Sequence, residues 1–139
     1  MTAERQTVAG VMTRDVIHCP PDTSLRDVAR LMTEHRVHAV YVYDDAGDDE
    51  TVEVWGLVSD LDLIAALPVL DERTAGSMAV TPLLTVSTDE RLDRAAQVMS
   101  ESANAHLAVV DRLTGRPAGV LSTLDVAGAV AADHVDPRR

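Results

Sequence analysis

The chain repeats itself. Gly56-Leu57-Val58-Ser59-Asp60-Leu61-Asp62 returns as Gly119-Val120-Leu121-Ser122-Thr123-Leu124-Asp125. Both copies read Gly-apolar-apolar-Ser-x-Leu-Asp behind an apolar, strand-like run. A chain written this way is expected to fold as two similar halves, and a motif carried by both halves points to a pair of clefts rather than to one active site. The repeat reaches well beyond the motif. Ala9-Gly10-Val11-Met12 matches Ala75-Gly76-Ser77-Met78 at an offset of 66, and Leu25, Ala29 and Met32 match Leu92, Ala96 and Met99 at 67. The last motif returns at 63, so the first repeat carries about four extra residues ahead of Gly56, in the polar stretch 45–51 where an insertion costs little. Such a period is too long for most solenoid units, and two copies are too few. A pseudo-symmetric pair is the expected arrangement.

Composition sets the class. At 139 residues with 46% apolar content the chain can bury a core. With no Phe, one Trp and two Tyr, that core must be aliphatic. The N-terminus shows no signal-peptide pattern, and the longest run of small apolar residues, 126–132, is too short to span a bilayer. The single cysteine, Cys19, permits no internal disulfide and reads as a small buried hydrophobe. A cytoplasmic protein, with no membrane partner, is expected. The net charge is −11, and all 12 basic residues are arginine. The acidic balance argues against nucleic-acid binding, which needs a basic surface. The absence of lysine removes Schiff-base chemistry and a P-loop. Residues 44–53 read as a solvated acidic loop.

The patterning predicts a mixed α/β class, α+β-like, with β-α-β-β-α order in each repeat. Short strands are expected at Val16-Ile17 and Leu83-Leu84. Helices are expected over 24–35 and 90–101, with Leu25, Val28, Ala29 and Met32 on one apolar face and Leu92, Ala95, Ala96 and Met99 on the other. Ser24 with Asp27 resembles a capping box. Strands follow over 38–43, 53–58, 106–110 and 117–121, the last pair broken by the turn at Thr114-Gly115. A second helix is expected over 60–67 and 123–132. Its faces, Leu61, Ile64, Ala65 and Leu67, and Leu124, Ala127, Val130 and Ala131, are too apolar for a small domain to hide, which predicts a homodimer.

Met-Thr, then Val-Ile, then Pro-Asp-Thr-Ser-Leu, an apolar strand ending in Asp, and Gly-Leu-Val-Ser-x-Leu-Asp form an ordered set found twice. In that order the chain resembles a tandem pair of CBS domains, named for cystathionine-β-synthase and also called a Bateman module. The resemblance covers residues 8–67 as repeat 1 and 74–131 as repeat 2, with 132–139 left as a flexible tail. It implies a pseudo-two-fold pair and a stand-alone regulatory protein, not an enzyme. Such a protein binds an adenosyl ligand of the AMP, ADP, ATP, NAD or S-adenosylmethionine class and signals to a regulated partner. The alternative is a structural or dimerisation module with no physiological ligand.

Ser59-x-x-Asp62 and Ser122-x-x-Asp125 are themselves open to two readings. Ser at the N-cap and Asp at the third helical position make a capping box. The same geometry offers helix-end N–H groups to a phosphate and a carboxylate to ribose hydroxyls. The resemblance implies pockets built across the repeats. The first would join Ser59 and Asp62 to Leu83, Leu84, Asn104 and His106. The second would join Ser122 and Asp125 to Val16, Ile17, Val37 and His38. The aliphatic residues would sandwich adenine. Two departures stand out. Tyr41 and Ala108 occupy central-strand positions where many CBS repeats carry Pro. Ala39 and His106 stand where phosphate-binding members often carry Arg or Lys, so the first pocket keeps a cationic donor. A polyphosphate would need Mg²⁺ or arginines such as Arg14 and Arg36; AMP, ADP or S-adenosylmethionine fits the charge better. His35-x-x-His38 straddles a helix end and is not expected to hold a metal, and no catalytic triad or required cofactor is expected.

Overall fold

A computed structural model describes residues 6–44, 54–79 and 83–132. The acidic loop, apart from Asp44, and all but the first residue of the tail lie outside the described residues. The chain divides into two compact units, one made of residues 15–83, the other of residues 1–14 with 84–139.

The first of these contains β1 (His18–Cys19), α1 (Leu25–His35), β2 (Ala39–Tyr43), β3 (Val54–Ser59), α2 (Asp60–Ala65) and a one-turn helix α3 (Ala75–Met78). The other contains β4 (Thr85–Ser87), α4 (Leu92–Ser102), β5 (His106–Val110), β6 (Pro117–Ser122) and α5 (Thr123–Ala132), preceded by a 3-10 turn at Val8–Gly10. This is a mixed α+β fold with β-α-β-β-α order in each repeat. Each three-stranded sheet pairs its first two strands in parallel and its last two antiparallel, with a register shift at the same place, Val42/Tyr43 and Val109/Val110.

The helix faces are as the spacing predicts: Leu25, Val28 and Met32 are buried on α1, and Leu92, Ala95 and Met99 on α4. Each packs on the alternate residues of its own sheet, Val40 and Val42 in one unit and Leu107 and Val109 in the other. Both helices end in a left-handed residue, Arg36 and Ala103, each at φ 55°. Cys19 is buried in the first core, and that burial raises its thiol pKa above the ordinary value.

Four elements depart from expectation by two residues or more, the others by at most one. The first strands do not begin at Val16-Ile17 or Leu83-Leu84. Pairing with a neighbour, not apolarity, defines a strand, and the paired residues are His18 with Tyr41 and Thr85 with Ala108. Ile17 joins the ladder only through its carbonyl, which accepts from Tyr41 N at 2.9 Å. The second helix of repeat 1 stops at Ala65 rather than 67. Pro68 has no N–H and its ring clashes with the carbonyl four residues back, so the chain passes into a 3-10 segment over Leu67–Glu72. Finally, α4 begins two residues late, at Leu92, whose N–H donates to Gln6 O (2.9 Å).

That last bond belongs to a wider exchange. The opening segment of repeat 1 is part of the unit that holds the strands and helices of repeat 2: Val8 N–H donates to Glu90 O (2.9 Å), and Thr13 exchanges two 2.9 Å bonds with Val120. The opening segment of repeat 2 is part of the other unit: Ala75 and Gly76 donate to Thr23 O and Pro21 O, both 2.8 Å. Sequence repeats and compact units are thus different partitions of one chain.

Candidate functional site

Each final strand runs directly into a helix, and the junction is fixed by a reciprocal cap. In the first unit Ser59 Oγ accepts from Asp62 N (3.2 Å) and Ser59 N donates to Asp62 Oδ2 (2.8 Å). In the second unit the same pair of bonds joins Ser122 and Asp125, at 3.0 and 2.9 Å. The helix-opening N–H of Asp60 donates to His38 O, and that of Thr123 to Ala105 O, both at 2.9 Å. Both carboxylates are thereby held at the mouth of a helix, where the dipole favours negative charge. The capping-box reading therefore describes the ground state correctly. It does not exclude a ligand, because an ionised carboxylate has about four acceptor sites and each box fills only one.

The two ends are decorated differently. Thr13, carried in by the exchanged lead segment, donates its hydroxyl to Asp125, 3.1 Å from Oδ1 and 3.3 Å from Oδ2. Sequence reasoning missed this residue, although the signal was present: Met12-Thr13 aligns with Met78-Ala79, so only one half carries the hydroxyl. Gly119 makes room for the approach, since a Cβ there would stand 2.5 Å from Thr13 O. Across the ladder from Ser122 lies His106, whereas Ala39 faces Ser59. Next to Ser59, Asp60 accepts from Leu61 N (2.8 Å) and lies 2.8 Å from His38 Nδ1. Thr123 stands at the equivalent place in the other repeat.

Of the remaining expected site residues, Val16 and Leu83 are half-buried and Leu84 is exposed, while Ile17 and Val37 pack against the first core. Asn104 turns inward on its own helix end, donating to Ser102 Oγ (3.1 Å). One unit thus contains Ser59, Asp62, Val16, Ile17, Val37, His38 and Leu83, and the other contains Ser122, Asp125, Leu84, Asn104 and His106. Arg14 donates to Ala9 O (2.8 Å), which ties its head back onto its own segment.

Each unit also has an open apolar groove between its long helix and its post-strand helix. They measure about 510 Å³ beside α4 and α5 and about 530 Å³ beside α1 and α2. Their linings correspond position by position: Met99 and Met32, Asn104 and Val37, Ala105 and His38, Thr123 and Asp60, Val126 and Leu63. Val37, His38 and Asn104 line these grooves. All eight apolar residues singled out on α2, on α5 and at Leu67 are exposed, with Leu61 at 66% and Leu124 at 73%. Among the described residues no His/Cys/Asp/Glu cluster could hold a metal, and no helix is long and apolar enough to cross a membrane.

The family model of the CBS domain matches residues 8–71 and again residues 75–132. The chain belongs to the CBS domain family. Solved CBS structures share its fold. The CBS domain pair of protein MJ0100, in complex with 5′-methylthioadenosine and S-adenosyl-L-methionine, matches with a TM-score of 0.81 at 19% identity, over 93% of this chain and 98% of that one. An uncharacterized conserved protein from Pyrococcus horikoshii matches with a TM-score of 0.81 at 22% identity, over 98% of both chains. CBSX2 in complex with AMP matches with a TM-score of 0.70 at 29% identity, over 91% of this chain and 96% of that one. No curated protein matches the chain in sequence.

Proposed function

We propose that this protein is a regulatory, non-catalytic CBS pair of the cytoplasm. It holds an adenosyl ligand of the AMP, ADP, ATP, NAD or S-adenosylmethionine class at its Ser-x-x-Asp ends and passes that occupancy to a partner protein. The observation that carries the reading is the Asp125 carboxylate. It is oriented by Ser122 N–H and the Thr13 hydroxyl, yet keeps acceptor capacity for a pair of ribose hydroxyls. The likeness to CBSX2, which was solved with AMP, supports the ligand class. In this reading Asp62 and Asp125 are ribose acceptors, and Val16, Ile17, Leu83 and Leu84 offer aliphatic surface to adenine. Asn104, His106, Val37 and His38 complete the set. No metal or bound cofactor is required.

A thermal-shift panel with AMP, ATP, NAD and S-adenosylmethionine tests this, because a ligand that binds only the folded state raises the melting temperature. At least one member should raise it in proportion to the logarithm of its concentration. No shift from any of them would favour the second reading, a dimerisation module without a ligand. That second reading draws on the exposed Leu61, Ile64, Leu67, Leu124 and Val130. In either reading these faces seat a second copy of the chain. Light scattering should then give twice the 14.9 kDa chain mass, and a value of one chain mass at micromolar concentration would contradict it.

A further inference from the structure

We infer that the two Ser-x-x-Asp ends differ in the charge of ligand they accept: the Ser122/Asp125 end takes a phosphate-bearing adenosyl ligand, and Asp60 bars one from the Ser59/Asp62 end. The inference rests on the ribose-binding reading above. The 5′-phosphate of a nucleotide is one C–O–P link from the ribose ring, so a ribose seated on Asp62 brings its phosphate to the mouth of α2. There Asp60 has already placed a carboxylate on the N–H of Leu61, 2.8 Å away. The group a phosphate would seek is taken, and the group that takes it is itself an anion. His38, 2.8 Å from the other Asp60 oxygen, fixes that carboxylate in place.

At the other end Thr123 replaces Asp60, so the opening turn of α5 carries no added anion beyond Asp125. His106, which the family resemblance assigned to the Asp62 pocket, lies across the ladder from Ser122, where Ser59 has only Ala39. Thr13 orients the Asp125 carboxylate, where the matching Ala79 has no hydroxyl to give. The first two differences favour an anion at the α5 end, whereas the Thr13 bond acts on the ribose acceptor alone. The Asp62 end is left suited to an adenosyl group that is neutral or cationic at its 5′ side.

Paired substitutions that exchange the two residues test the inference in the intact chain, with AMP and adenosine as probes in calorimetric titrations. The wild type should bind one AMP per chain. Thr123→Asp should weaken AMP at least about tenfold and leave adenosine within about twofold, because the added charge meets the phosphate alone. Asp60→Thr should open a second AMP site per chain. Both variants keep an N-terminal turn that favours Asp or Thr, so folding is preserved. A purely structural effect would change AMP and adenosine together, and that outcome overturns the inference. So would two equal AMP sites in the wild type, or adenosine binding without AMP binding; both leave the ribose reading standing. Failure of both probes to bind would overturn the inference, and the thermal-shift panel with NAD and S-adenosylmethionine decides whether the ribose reading falls with it.

Discussion

The two units share a backbone plan and differ where chemistry would occur. Their cores are built from matching residues: Leu25 and Leu92, Val28 and Ala95, Met32 and Met99. The positions around the helix mouths do not match. One unit has Ala79, Ala39, Asp60 and Arg36 where the other has Thr13, His106, Thr123 and Ala103. Aromatic residues are also unevenly placed, with Tyr41, Tyr43 and Trp55 all in the first unit, where Tyr43 stacks on His18 with ring centroids 4.3 Å apart. Core positions tolerate only what packs. The helix mouths are half-open, so their residues are free to diverge in charge and hydrogen bonding without disturbing the fold. The comparison therefore separates what the repeat needs in order to fold from what it uses to discriminate.

The largest expected effect comes from Gly119, one of the two glycines that admit the exchanged lead segments. Gly119→Ala puts a methyl 2.5 Å from a backbone oxygen that cannot retreat without breaking the Thr13–Val120 bonds. It should destabilise by roughly 3 kcal/mol or more in urea unfolding. Gly76→Ala meets the ring carbon and carbonyl of Pro21 at 2.9 and 3.0 Å, and should cost about 1–2 kcal/mol. Equal costs would show that the two segments are held alike. Next come the cores. Leu25→Ala and Leu92→Ala, both at fully buried positions, should each lose about 2–4 kcal/mol and differ little from one another. A large difference would mean that the cores are not equivalent.

Smaller effects sharpen the picture. Arg36→Gly and Ala103→Gly relieve the same left-handed strain, and each should stabilise by about 0.5 kcal/mol after the greater chain entropy of glycine is counted. The smallest effect is confined to one unit. Asp89 accepts from the Ser87 hydroxyl at 2.6 Å and pairs with Arg112. The Ser87 bond, aided by the charge of Arg112, holds its pKa below the ordinary aspartate value. A carboxylate with a depressed folded pKa adds stability above its unfolded pKa and loses it as pH falls through the folded value. The gap in melting temperature between wild type and Asp89→Asn should therefore narrow below roughly pH 4. A gap independent of pH would place the effect elsewhere.

Much of this was legible in the sequence. The 3.6-residue spacing on α1 and α4, the apolar surplus on α2 and α5, and the Ser-x-x-Asp caps each depend on local pattern, and each is found where the pattern puts it. What the sequence hid is non-local. The contact between Thr13 and Asp125 spans 112 positions, and nothing in either segment announces that the lead of one repeat docks in the unit of the other. The short strands were misplaced for the same reason, since a partner strand decides which residues pair. The end of α2 was readable from Pro68, but the apolar run through Leu67 masked it.

The most direct test of the account is a crystal structure of the chain grown with saturating AMP. The ribose 2′- and 3′-hydroxyls should lie within about 3.2 Å of the Asp125 carboxylate oxygens, with the phosphate at the opening turn of α5. AMP seated on Asp62 instead of Asp125, AMP bound away from both Ser-x-x-Asp ends, or both ends empty at saturation, would contradict it.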